Sequence, residues 1–176
     1  DALRVYMMFI GPFAQPSAFK EEGVAGAAGF IKRIHQLADA PRAAADDPQL
    51  ASLLHRTIKK VGEDIGDFRF NTAVSSLMIL ANAMAEKGAS AAAFDACLLM
   101  LAPLAPHAAE ELWHRGERID APSIFTESWP EYDAALLADE RSVIAVQVNG
   151  KLRETFEIES DAAEEAVKER ALALPK

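Results

Sequence analysis

The chain has a single cysteine, few aromatic residues (7%), no long apolar run, and fewer bases than acids (18 against 27). Cys97 has no internal partner for a disulfide. Its apolar neighbours mark it as a small core residue in a reducing, cytoplasmic setting rather than a nucleophile. No stretch approaches the roughly 20 apolar residues that a membrane-spanning helix requires. The start also lacks the basic, apolar and small-residue series of a secretory signal. There is no Cys-x-x-Cys pair with zinc spacing, no Gly-rich phosphate loop after a strand, and no Ser/His/Asp or Cys/His constellation. No catalytic residue, metal or cofactor is therefore expected within the chain. It opens on Asp1 inside an apolar pattern rather than on Met, and a piece of a longer protein is expected.

What is present is a globular, Ala-rich composition, 51% hydrophobic over 176 residues. The shortage of aromatics favours helices packed closely over small side chains. The net charge of −9 argues against nucleic acid when taken as a sum, but its distribution is uneven. Residues 117–140 hold seven acids against Arg118 alone, whereas residues 32–69 hold seven bases and six acids. A basic strip on the latter stretch is compatible with an acidic chain.

The apolar spacing is helical through the first two thirds. Residues 1–10 form an apolar segment stopped by Gly11-Pro12. From Glu21 to Ala40, Val24, Ala27, Ile31, Ile34 and Ala38 share one face. Gly23, Gly26 and Gly29 interrupt that helix at a cost of about 1 kcal/mol each against Ala, which implies a close helix–helix approach. Asp47-Pro48 reads as cap and first residue of the next helix, which ends near Gly66. Asn71 is expected to cap a third long helix ending at Gly88. Ser90 is expected to cap a fourth, broken by Pro103 and Pro106 and resumed to Arg115. The fold class is mainly α, a helical bundle over residues 1–116.

Residues 117–140 read as an irregular acidic segment packed on the bundle and anchored by Phe125, Trp129 and Tyr132. The period then changes from 3.6 to 2. Ile144, Val146 and Val148 alternate before Asn149-Gly150, and Leu152, Phe156 and Ile158 alternate after it. A turn with one extra residue would put Leu152 and Phe156 on the face of Ile144, Val146 and Val148. A charged helix capped by Ser160 or Asp161 follows, so residues 141–176 read as the truncated start of a small α/β domain.

Three stretches are distinctive. The first is Leu54-His55-Arg56-Thr57-Ile58-Lys59-Lys60-Val61 with Asp64-Ile65 and Phe68-Arg69-Phe70-Asn71-Thr72-Ala73. The second runs Ala102-Pro103-Leu104-Ala105-Pro106-His107-Ala108-Ala109-Glu110-Glu111-Leu112-Trp113, with Trp129-Pro130 beyond it. The third is Val146-Gln147-Val148-Asn149-Gly150-Lys151-Leu152-Arg153. The second resembles the helical bundle that follows the catalytic domain in class I aminoacyl-tRNA synthetases, those for valine and isoleucine included. Together with the third it resembles the bacterial leucine enzymes. Gly29, His35 and Glu154 depart from that family's usual Arg, Trp and Gly.

The resemblance implies an anticodon-binding-type bundle plus the start of a C-terminal domain, from an enzyme that joins leucine to tRNA(Leu) using ATP with Mg. The implied partners are tRNA(Leu) and the catalytic domain of the same chain, with no membrane or DNA partner. The cations that could meet tRNA phosphates are Arg56, Lys59 and Lys60 on one helix flank, with Lys32, Arg33, Arg69, Lys151 and Arg153. The plain alternative is a solvated helix face with Glu63 and Asp64 as intrahelical partners. A structural brace for the catalytic domain, or the equivalent bundle of a valine or isoleucine enzyme, are the other functions compatible with the pattern. His107, Glu111 and His114 share a helix face, but a helix start at Pro106 explains His107 better than metal ligation.

Overall fold

Local caps place the helices. In the computed structural model, the described residues are 1–12, 14–115, 120–137, 142–148, 151–158, 167, 168, 170 and 171. Among them are six α-helices: α1 (Ala2–Phe9), α2 (Glu21–Asp39), α3 (Pro48–Gly66), α4 (Phe70–Lys87), α5 (Ala91–Leu101) and α6 (Pro106–Trp113). Asp47 accepts from the Gln49 and Leu50 backbone N–H groups, with Pro48 as the first helical residue. The Ser90 hydroxyl accepts from Ala93 N at 3.1 Å. Gly88, at φ 77°, ends α4 in the left-handed region that glycine enters without a Cβ penalty.

One expected boundary moves. Asn71 lies inside the first turn of α4, whose cap position is Arg69. α3 ends at Gly66 as expected, and the chain then turns at Phe68, with φ 58°. The backbone N–H of Phe68 donates to Ile65 O at 3.2 Å and that of Arg69 to Asp64 O at 2.7 Å. This paired pattern is a Schellman turn, which normally places glycine where Phe68 stands.

The chain groups into two compact units, Asp1–Asp133 and Ala134–Lys176. In the first, Val5, Ile34, Leu50, Leu77, Leu98 and Leu112 bring all six helices to one core, each at most 4% exposed. Full burial of such a side chain contributes about 1.5–3 kcal/mol. Ala73, Ala81, Ala93, Ala105 and Ala109 are fully buried, so the helices pack over small side chains as the composition implies. The interruption between α5 and α6 lies within this core, with Leu104 and Ala105 buried. Of the three spaced glycines, Gly23 alone marks a close approach. A Cβ there would collide with the Tyr6 ring of α1, while Gly26 and Gly29 face open space.

Residues 120–133 belong to this unit. Their buried anchor is Ile124 (2% exposed), whereas Phe125, Trp129 and Tyr132 are exposed at 56%, 40% and 45%. The reason is connectivity: Glu110 of α6 accepts from Ile124 N at 2.9 Å, which draws the short 3-10 turn Ile124–Thr126 into the bundle and leaves the aromatics at its rim.

The second unit contains an antiparallel hairpin, β1 (Ser142–Val148) and β2 (Lys151–Ile158). Val148 pairs directly with Lys151 and Gln147 with Leu152; the register then shifts, so that Val146 meets Glu154 and Ile144 meets Phe156. The extra residue exists, but at Arg153 rather than in the turn. Phe156 is thus in register with Ile144, and Leu152 with Gln147. The irregularity lies within β2 and not in a longer turn. Residues 149–150 and both cap candidates, Ser160 and Asp161, lie outside the described residues, while Val167, Lys168, Arg170 and Ala171 are helical.

Candidate nucleic-acid interface

The cations expected to meet phosphates are distributed over both units. Arg56, Lys59 and Lys60 lie on α3, where Arg56 is half-buried and the two lysines are exposed. Lys60 Nζ reaches Asp64 Oδ2 at 2.5 Å, one helical turn on. Arg69, from the α3–α4 turn, reaches the other oxygen of Asp64 at 2.8 Å through Nε, and Asp67 at 2.7 Å through Nη1. Asp64 itself is fully buried.

Burial pushes the Asp64 carboxyl up, but hydrogen bonds from Lys60, Arg69 and Thr72 outweigh it and hold the group below its ordinary value of 3.8. The same bond from Asp64 raises the Arg69 guanidinium further. Lys60 and Arg69 thus neutralise a buried charge, yet each keeps about half of its side chain in solvent (48% and 49%).

On α2, Lys32 is exposed, and Arg33 donates to the Asn82 side-chain oxygen of α4. Lys151 and Arg153 sit on β2 of the second unit, Arg153 at the register shift. The structure therefore brings together Lys60 and Arg69, around Asp64. It leaves Arg56 and Lys59 as neighbours of that pair along α3, and Lys32 and Arg33 on a separate helix.

The flank of α3 that carries Lys59 adjoins a strap formed by the irregular segment. His55 Nδ1 accepts from Asp133 N at 2.9 Å. Gly62 lets the Trp129 indole lie against the helix, since a Cβ there would meet Trp129 Nε1 at 3.3 Å. Lys59, Gly62, Glu63, Trp129, Glu131 and Tyr132 line a shallow groove. Asp64, read from the sequence as an intrahelical partner, is the hub of the cation pair, at i+4 from Lys60. Phe68 is 61% exposed, and no local signal announces this.

The His107, Glu111 and His114 face serves structure. His107 Nδ1 contacts the Asp1 carboxylate at 3.0 Å, His114 Nε2 contacts Glu110 at 3.3 Å, and Glu111 accepts from Arg115 at 3.0 Å. Burial pushes the Cys97 thiol up to about 12, far from a reactive thiolate. Among the described residues no helix is long and apolar enough to cross a membrane.

The family model for the anticodon-binding domain of tRNA ligase matches residues 47–168, which takes in α3 and the cation cluster around Asp64. The chain belongs to this anticodon-binding domain family. The domain is 40% identical to the leucine–tRNA ligase of Dehalococcoides mccartyi, over 98% of this chain and 22% of that protein. It is 43% identical to the leucine–tRNA ligase of Chloroherpeton thalassium, over 89% of this chain and 20% of that one. Among solved structures, a LeuRS of Agrobacterium radiobacter K84, in a ternary complex with tRNA and LeuAMS, superposes with a TM-score of 0.72. That match is 30% identical and covers 99% of this chain and 25% of that one. This anticodon-binding domain chain thus spans a fifth to a quarter of the relatives it matches.

Proposed function

We propose that this chain is the non-catalytic, tRNA-positioning portion of a leucine–tRNA ligase, whose whole form joins leucine to tRNA(Leu) with ATP and Mg in the cytoplasm. The observation that carries the proposal is the family match over residues 47–168, which includes every cation of the Asp64 cluster. Relatives that are leucine–tRNA ligases, and a structural neighbour bound to tRNA, support the leucine reading over valine or isoleucine. In this reading Arg56 and Lys59 on α3 and Lys32 on α2 supply sequence-independent phosphate contacts. These hold the tRNA body while another domain of the ligase acts on the acceptor end.

A second reading, in which the bundle braces the catalytic domain and touches RNA little, is favoured by the net charge of −9 and by the engagement of Lys60 and Arg69 with acids. Titration of a tRNA(Leu) transcript with the 176-residue chain at several salt concentrations separates the two. The tRNA reading expects affinity to fall steeply with salt and to drop on Arg56→Glu with Lys59→Glu. Salt-independent affinity, or none lost on charge reversal, leaves the brace.

A further inference from the structure

We propose that the strap of residues 120–133 is a docking surface for a cationic, extended segment of another protein, seated across the Trp129 indole. Three aromatic side chains of this strap, Phe125, Trp129 and Tyr132, are exposed. The indole rests on α3 at Gly62 and is shared by two shallow clefts. One, of roughly 460 Å³, is lined by Ile58 and Gly62 of α3 with Trp129, Pro130 and Tyr132. The other, of roughly 180 Å³, is lined by Leu99, Ala102 and Pro103 at the end of α5 with Ile124, Phe125 and Trp129. Two apolar clefts with one aromatic wall in common can take successive side chains of an extended segment, the way aromatic-lined grooves hold such peptides.

The surface is formed in advance. Ile124 is buried and its N–H donates to Glu110 of α6 at 2.9 Å, while Asp133 N donates to His55 of α3 at 2.9 Å. These two ties bracket the three rings, so the rings lose little freedom on contact. Trp and Tyr are also the side chains on which binding energy concentrates at protein interfaces. Charge selects the occupant. Residues 120–133 hold Asp120, Glu127, Glu131 and Asp133 and no Lys or Arg, and all four acids are exposed. Glu63 adds a carboxylate to the larger cleft, against Lys59. Such a surface repels phosphates, and a second copy of the chain would bring its own net charge of −9. Lys and Arg side chains complement it. A permanent interface sheds charge from its centre, so the carboxylates and Lys59 among these rings fit a partner that binds and leaves, which is to say a separate protein.

The test selects a displayed library of random dodecapeptides against the 176-residue chain and titrates the resynthesised winners by calorimetry at low and moderate salt. The winners are expected to carry net positive charge with bulky apolar side chains, and their affinity to fall with salt. Glu127→Lys with Glu131→Lys changes two exposed positions and should weaken binding about tenfold or more. Tyr132→Ala and Trp129→Ala should each do the same. If Trp129→Ala loosens the strap and lowers the melting temperature, the other two variants still decide. Ile79→Ala, at an exposed position on α4, should leave affinity unchanged. Failure to enrich any peptide, acidic or uncharged winners, or wild-type affinity in the charge-reversed or Tyr132→Ala chain overturns the inference. If Tyr132→Ala instead lowers affinity for a tRNA(Leu) transcript, or abolishes self-association of the chain, the surface belongs to RNA or to a second copy, and the inference fails. The tRNA reading above is decided separately, by Arg56→Glu with Lys59→Glu.

Discussion

The carboxylate of Asp1 accepts a 2.7 Å hydrogen bond from the backbone N–H of Ala108, across 107 positions of sequence. Helix α6 has Ala105 at its cap position, with no side-chain bond of its own, so Asp1 performs the capping from the far end of the chain. Asp46 treats α5 similarly, accepting from both the N–H and the hydroxyl of Ser90 at 2.7 Å. Part of the acid excess therefore satisfies helix ends rather than facing a partner.

Asp1→Ala should lower stability by about 1 kcal/mol, the usual worth of a lost helix cap. His107→Ala should cost much less, because that side chain is 83% exposed. Chemical denaturation of the two variants checks the contrast. Equal losses would show that the imidazole contact, not the cap, holds α1 to α6.

Asp64→Asn leaves Lys60 and Arg69 without their shared carboxylate. We expect a loss of about 2 kcal/mol, below the roughly 3–5 of a fully buried pair, since both cations can rehydrate. The pH dependence follows from the direction of the shift. A carboxyl held below 3.8 in the folded state contributes stability that is fully present above its unfolded value. That stability is lost as pH falls through the lower, folded one. Melting temperatures from pH 7 down to 2 should therefore converge for wild type and Asp64→Asn at the acid end; parallel curves would exclude the linkage.

The three glycines of α2 should answer alanine substitution with opposite signs. At Gly26 and Gly29 a Cβ meets nothing, so each alanine should stabilise by about 0.5–1 kcal/mol. At Gly23 the Cβ would collide with the ring of Tyr6, itself buried and hydrogen-bonded through its hydroxyl to Lys20 N at 2.6 Å. Gly23→Ala should lose stability despite the better propensity. Thermal melts of the three variants decide, and a stabilised Gly23→Ala would disprove the close approach of α1 and α2.

Cys97 is fully buried, with its thiol pushed up to about 12. Native protein at pH 8 should resist alkylation for hours, and denatured protein should react completely within minutes. Mass spectrometry before and after denaturant reads the difference. Rapid native labelling would show that α5 opens far more often than its packing suggests.

Much of the bundle was legible because its signals are local. Asp47-Pro48, Ser90 and Gly88 cap helices through bonds within four residues, and the apolar spacing of α3 reports one buried face directly, whereas in α2 Phe30 and Leu37 are buried and Val24, Ile31 and Ala38 only partly so. The boundary at α3–α4 was not legible in the same way. Gly66 ends α3, but α4 starts at Phe70 rather than after a cap at Asn71, following a turn at Phe68 that Asp64, Asp67 and Arg69 close together. The irregular segment misled for a related reason. Its aromatics looked like anchors, yet Ile124 takes the buried place because Glu110 on α6 holds its backbone.

The candidate interface divides along the same line. Sequence alone determined that Arg56, Lys59 and Lys60 share one flank of a helix, because residue spacing and helical pitch require it. It also determined the family resemblance, whereas the extra residue it placed in the hairpin turn lies at Arg153 within β2. Tertiary structure decided that Lys60 and Arg69 converge on a buried Asp64, that a strap lies beside Lys59, and that Phe68 stands in solvent. Helical faces follow from bonds between near neighbours. Which carboxylate is buried, and which ring remains exposed, depends on contacts between separate helices and segments, which spacing along the chain does not encode.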